Sequence, residues 1–179
     1  MIYVFLADGC EEIEAVAPVD IMRRAGLDVC TVGVTGKTVT GSHKVTVTAD
    51  IEISELNITD AEMVVLPGGL PGTYNLEADD TVKSAVRYCY ENGRYVAAIC
   101  AAPSILAHMG LLDGRKATCA PGFAKELAKA DYTGESVTVD GKIITGKGAG
   151  AALLFGYRIV EILVSEDEAA KHRASMQYV

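Results

Sequence analysis

Short apolar, β-branched runs alternate along the chain with stretches whose apolar positions recur every three or four residues. Ile2–Leu6 is an unbroken apolar run stopped by Asp8-Gly9, the pattern of a strand buried on both faces. In Glu11–Ala25, Ile13, Val16, Val19 and Met22 fall at three-residue steps. Acids crowd its first turn, Arg23 and Arg24 its last, and Gly26 follows, which predicts an amphipathic helix. Strands are predicted at Asp28–Val34, Ala61–Leu66 and Tyr95–Ile99, the last so apolar that it belongs at the centre of a covered sheet. Residues 37–48 predict a hairpin about Gly41, and Asp140-Gly141 a second between Val137–Val139 and Lys142–Thr145. Helices are predicted from an Asp80 cap through Tyr90, from Ala101 to Gly110, and over Phe123–Lys129, Ala151–Val164 and Glu166–Ser175, with a further strand at Lys116–Cys119. The alternation predicts an α/β fold in one domain, 1–179, with a mostly parallel central sheet and helices on both faces. Ligands of such sheets collect at the carboxyl ends of the strands, where Gly9–Glu14, Pro67–Leu70 and Cys100 fall.

Composition narrows the function. Of 179 residues, 50% are hydrophobic and 22% charged, enough apolar material for a core and too much for a disordered chain. The net charge of −8, with no tryptophan and 6% aromatics, argues against a nucleic-acid partner on both electrostatic and stacking grounds. The longest apolar run, Tyr95–Ala102, falls well short of the roughly 20 residues that span a bilayer, so no membrane partner is expected. With an acid at Asp8 and no basic region before it, the N-terminus is not expected to be a secretion signal, and the expected location is cytoplasmic. The five cysteines have no Cys-x-x-Cys spacing, which argues against a disulfide framework and a zinc cluster. None of His43, His108 and His172 stands at metal-ligand spacing from a carboxylate, and no metal or cofactor is expected.

Cys100 is the sharpest chemical candidate. It joins a very apolar strand to a helix, among small neighbours in Ala-Ile-Cys-Ala-Ala-Pro, the setting of a nucleophile elbow. A helix start beyond it would favour thiolate over thiol. The alternative is a small buried residue beside a central strand. Pro67-Gly68-Gly69 ends a neighbouring strand and either turns its N–H groups toward the site, as an oxyanion hole requires, or forms an ordinary turn. Glu11 and Glu12 are expected to do no more than complement the helix dipole in solvent. Glu14, bracketed by Ile13 and Ala15, is expected to be partly buried near the crevice, where it can stay protonated and donate to a thiolate. Gly141–Gly148 nearly fits a phosphate-binding loop, but Gly148 replaces the Ser/Thr and Lys142–Thr145 reads as strand. Gly146–Gly150 is instead a tight turn into the next helix.

Asp8-Gly-Cys-Glu-Glu-Ile-Glu-Ala, Val65-Leu-Pro-Gly-Gly-Leu and Ala98-Ile-Cys-Ala-Ala-Pro, with Met22-Arg-Arg-Ala-Gly and Thr145–Gly150, together resemble the ThiJ/PfpI superfamily, in its parkinsonism-associated deglycase branch. The resemblance spans nearly the whole chain and implies a flavodoxin-like three-layer sandwich that forms homodimers. It implies Cys100 as an oxidisable nucleophile, Glu14 as its protonated partner, and the Gly68-Gly69 turn and Ala101 as the oxyanion and substrate-binding elements, with the Gly69 and Ala101 amides as donors. The activities it implies are glyoxalase or deglycase chemistry on a small dicarbonyl such as methylglyoxal or its glycated adducts, or a redox-sensing chaperone role. Two departures stand out. Ala101 replaces the histidine of the protease-like branch, which demotes a cysteine amidase or peptidase. Ala120 stands where the deglycase branch often has a histidine, with Cys119 beside it as a conceivable resolving thiol.

Overall fold

The computed structural model describes residues 1–178. Along them run β1 (Ile2–Leu6), α1 (Glu12–Arg24), β2 (Val29–Gly33), β3 (Thr38–Thr40), β4 (Thr46–Thr48), β5 (Ile51–Glu52) and β6 (Met63–Leu66). There follow α2 (Gly72–Ala78), α3 (Asp80–Glu91), β7 (Tyr95–Ile99), α4 (Pro103–His108), β8 (Lys116–Ala117) and β9 (Asp131–Tyr132). The chain closes with β10 (Val137–Asp140), β11 (Ile143–Gly146), α5 (Ala152–Leu163) and α6 (Glu166–Ser175). Seven strands form one sheet in the order β10-β11-β7-β6-β1-β2-β5. All its neighbours pair in parallel except the β10–β11 hairpin.

Alternation along each strand builds two core layers, because successive side chains leave opposite faces of the sheet. Tyr3, Phe5, Val64, Leu66, Val96 and Ala98 pack with Leu76 of α2, Val82, Ala85, Val86 and Cys89 of α3, and Ile105 and Leu106 of α4. Ile2, Val4, Leu6, Met63, Val65, Ala97 and Ile99 face the other way, onto α1, α5 and Ala169 of α6. This is the flavodoxin-like sandwich. Each fully buried large side chain, such as Phe5, Phe155 or Met63, contributes about 1.5–3 kcal/mol by leaving water. Gly156 lets α5 approach α1 closely: a Cβ there would lie 3.1 Å from Pro18 Cα.

Several boundaries differ from the sequence expectation. β7 is interior but third from one edge; the centre belongs to β6, all four of whose residues are fully buried. Asp79, not Asp80, caps α3, accepting from Thr81 N (2.8 Å) and Val82 N (3.0 Å). The α2 helix was hidden because Leu70-Pro71-Gly72 reads as a turn. Pro121–Leu127 is a 3₁₀ segment rather than a helix at Phe123–Lys129. Only Lys116–Ala117 of the Lys116–Cys119 run pairs, and it does so with β9 outside the main sheet; the next amide, Thr118 N, donates to the Thr145 hydroxyl instead. Among the described residues, no helix is long and apolar enough to cross a membrane.

Asp50 ties β2 to the sheet's short outer strand. Its carboxylate accepts from Thr31 N and Oγ1, both at 2.7 Å, and pairs with Arg23. Burial opposes its charge, but these donors win and hold the carboxyl below its ordinary 3.8. A depressed folded-state pKa contributes stability that is present above about 3.8 and lost as pH falls through the lower, folded value. Asp50→Asn is therefore expected to cost about 1–2 kcal/mol at pH 7. In urea melts the gap to wild type narrows below pH 4; a gap independent of pH would count against this linkage.

Candidate active site

Cys100 is the first residue beyond β7 and adopts φ 66°, a left-handed conformation that a non-glycine residue occupies only where its surroundings impose it. Those surroundings are plain: Cys100 N donates to Gly146 O (2.9 Å), and Cys100 O accepts from Ala120 N (2.8 Å). The amides of Gly69 and Ala101 both point at Cys100 Sγ. The elbow expected from the small residues around Cys100 is thus present. The helix expected from Ala101 starts instead at Pro103 and runs only six residues. The two amides, rather than a long helix dipole, are therefore the polar support for the sulfur.

Glu14 lies in the first turn of α1 with 1% exposure, directed under the glycine turn after β6. Its Oε2 accepts from Gly68 N at 2.9 Å. The Gly68 N–H is thus spent on Glu14, and of the two glycines it is Gly69 whose amide faces the sulfur. Gly68 serves the site by lacking a side chain, since a Cβ there would lie 2.7 Å from both Cys100 Cβ and Glu14 Oε2. Glu14 Oε1 is buried with no ordinary hydrogen-bond partner and lies against the Cys100 thiol.

Burial, aided by the nearby charge of Glu11 and opposed by the bonds to Cys100 and Gly68, pushes the Glu14 carboxyl up to about 7. Beside an ionised Glu14 the Cys100 thiol is pushed up to about 12, first by burial and then by the carboxylate charge, with the Ala101 and Gly69 amides pulling the other way. Burial and an ionised Glu14 thus outweigh what the two amides offer the sulfur. A proton moved from the thiol onto Glu14 would remove the repelling charge and give Oε1 a bond to donate to the sulfur.

The turn after β11 closes the site. A Cβ on Gly148 would sit 3.9 Å from Cys100 Sγ and 4.0 Å from Glu14 Oε1. Gly148 also borders a depression of about 230 Å³ lined by Ser136, Lys147 and Gly148–Ala151. Cys119 is fully buried, donates to Ala120 O, and is raised to about 11 by burial. It packs in the layer with α3 and α4, whereas Cys100 packs on the α1 and α5 side, so a resolving role for Cys119 gains no support. His108 bridges Glu77 and Glu126, away from Cys100.

One expectation about the start of α1 is overturned. Glu12 is 9% exposed, not solvated. Its Oε1 accepts from His43 N (2.8 Å) and Val45 N (3.2 Å), anchoring the β3–β4 hairpin. Burial resists its ionisation, but these bonds and the His43 ring draw it down to about 2. His43, 31 residues away in sequence, thus meets Glu11 and Glu12 (3.3 and 3.1 Å), a proximity that no local spacing announced.

A profile of the DJ-1/PfpI family matches residues 1–162. The Parkinson disease protein 7 homolog of Danio rerio is 36% identical over 178 residues, covering 97% of this chain and 94% of that protein. A deglycase of Pyrococcus abyssi is 27% identical over 164 residues, covering 90% and 98%. The DJ-1 homolog B of Arabidopsis thaliana is 37% identical over 169 residues, but this chain spans only 39% of its length. Among solved structures, Drosophila melanogaster DJ-1beta superposes with a TM-score of 0.95 at 32% identity, covering 99% of this chain and 97% of that one. Oxidized Toxoplasma gondii DJ-1 gives 0.94 at 32%, covering 99% and 98%.

Proposed function

The chain belongs to the DJ-1/PfpI family, and from that premise we propose that it is a cofactor-independent glyoxalase or deglycase whose nucleophile is Cys100. The observation that carries this reading is Glu14 Oε1, a buried carboxyl oxygen with no other partner, facing the Cys100 sulfur, which the Gly69 and Ala101 amides also face. Transfer of the pair's proton to Glu14 yields a thiolate, which adds to the aldehyde carbon of methylglyoxal or of its early adduct. The new C–S bond converts the carbonyl to an oxyanion, held by the Gly69 and Ala101 amides and then protonated by Glu14 or water. Isomerisation oxidises the former aldehyde carbon and reduces its ketone neighbour, so no external redox partner is needed. Water releases the hydroxyacid and returns the thiol. Gly148, bare of side chain, and the depression beside it suit a small substrate. The deglycase name of the Pyrococcus relative supports the same class.

The chain is further read as a homodimer, because Ile13 (54% exposed) and Val16 (45%) on α1 and Val45 (54%) on the hairpin leave an apolar face beside the site. The test of function is glutathione-free incubation with methylglyoxal, with lactate measured over time. Many lactates per chain support the enzyme; none ends that reading.

A redox-sensing stress or chaperone role of the same sulfur is favoured by its setting: Cys10, Cys89 and Cys119 are buried while Cys100 and Cys30 are partly open, and at Cys100 sulfinate oxygens would find the two amides and a protonated Glu14 waiting. Peptide mass spectrometry after mild peroxide is expected to place the oxidation on Cys100. Uniform oxidation of all five cysteines would argue against a sensor.

A further inference from the structure

Outside the Cys100 site, four donor atoms converge where the start of α1 meets the tip of the β3–β4 hairpin. His43 Nδ1 lies 3.3 Å from Glu11 Oε2, 3.1 Å from Glu12 Oε2 and 3.1 Å from Ser42 Oγ. Ser42 Oγ lies 3.3 Å from Glu11 Oε2 and 3.4 Å from Glu12 Oε2. These contacts are too many for the hydrogens available. With both carboxyls ionised, only the serine hydroxyl and one protonated ring nitrogen can donate, one good bond each. Three of the five approaches are therefore left with at best a shared hydrogen, and two like charges are held together.

The geometry supplies the reason for another cation. Four ligands at 2.0–2.1 Å around a tetrahedral zinc stand about 3.3–3.4 Å from one another; three of the five distances match that spacing and the other two, at 3.1 Å, are slightly shorter. Glu12 Oε1 is already taken by the amides of His43 and Val45, which directs Oε2 at the cluster. We propose that Glu11 Oε2, Glu12 Oε2, His43 Nδ1 and Ser42 Oγ form a tetrahedral site for a divalent cation of the zinc class. An imidazole nitrogen and tetrahedral spacing favour zinc over magnesium or calcium, which take six or more ligands, chiefly oxygens. The ion binds helix and hairpin together, and it stands independently of the chemistry at Cys100.

The test uses the full chain carrying Cys100→Ser, so that the open thiol does not compete, freed of metal with a chelator that is then removed. Titration with zinc alone is expected to saturate at one ion per chain. Cobalt alone is expected to give the intense visible bands of a tetrahedral ion, without a sulfur-to-cobalt charge-transfer band. Adding His43→Ala, at a ring 71% exposed and so harmless to folding, is expected to weaken zinc binding at least about tenfold. Glu11→Gln is expected to do the same. No saturable binding, zinc affinity unchanged in both variants, or cobalt spectra of octahedral or thiolate type would overturn the proposal.

Discussion

Cys100→Ser is expected to lower lactate formation from methylglyoxal by at least about 10³-fold while leaving the fold intact. Serine preserves size and hydrogen bonding, and its side chain meets the same amides of Gly69 and Ala101. What changes is acidity: Glu14 can accept a proton from a thiol far more readily than from an alcohol, so the nucleophile is not generated. Glu14→Gln is the companion variant, keeping an atom beside the sulfur and a partner for Gly68 N but removing the group that takes the thiol proton. A loss of about 10²-fold is expected, within the range for a positioned acid–base group. Progress curves with purified proteins measure both. Equal rates in wild type and Cys100→Ser would remove Cys100 from the mechanism and the glyoxalase reading with it.

Gly69→Ala is expected to be the most damaging substitution near the site, costing about 3 kcal/mol or more and most of the activity. Gly69 stands at φ +87°, where an alanine is strained. Its Cβ would also collide with Glu11 N and lie 2.6 Å from Cys10 C and 2.7 Å from Gly9 O. All three are backbone atoms, so no side chain can swing aside, and the loop carrying the Sγ-facing amide must move. Gly26→Ala separates the two causes, because Gly26 shares a positive φ of +74° but has nothing within 4 Å of a Cβ. That control is expected to cost only about 1 kcal/mol. Urea melts of both variants decide the matter: equal stability would mean that the approach of the 9–11 backbone to Gly69 is not tight.

Cys100 and Glu14 were legible because each breaks a local pattern. One is a sulfur after a strand that should stop in small residues; the other is an acid among apolar neighbours on the inner face of a helix. The separate parts of Gly68 and Gly69 were not legible, since a Gly-Gly turn offers two N–H groups and the sequence does not say where each points. Only the approach of α1 beneath the β6 turn assigns one to Glu14 and the other to sulfur. Glu12 looked like Glu11, an acid in a first turn, until the hairpin folded over it and supplied two amides. Ala101 sits where expected, but the helix beyond it is shorter, and boundary signals of that kind are the least sharply written in a chain.

The chain's own order of residues determined the layered α/β fold, since apolar alternation and turn residues act over a few positions and specify which faces must be covered. It also determined the family and the sulfur at the sheet's rim. Which side chains meet was decided only by tertiary structure. Glu14 and Cys100, like His43 and the two acids of α1, are brought together by strand order and loop docking, and electrostatic coupling depends on distances in space that no sequence interval encodes.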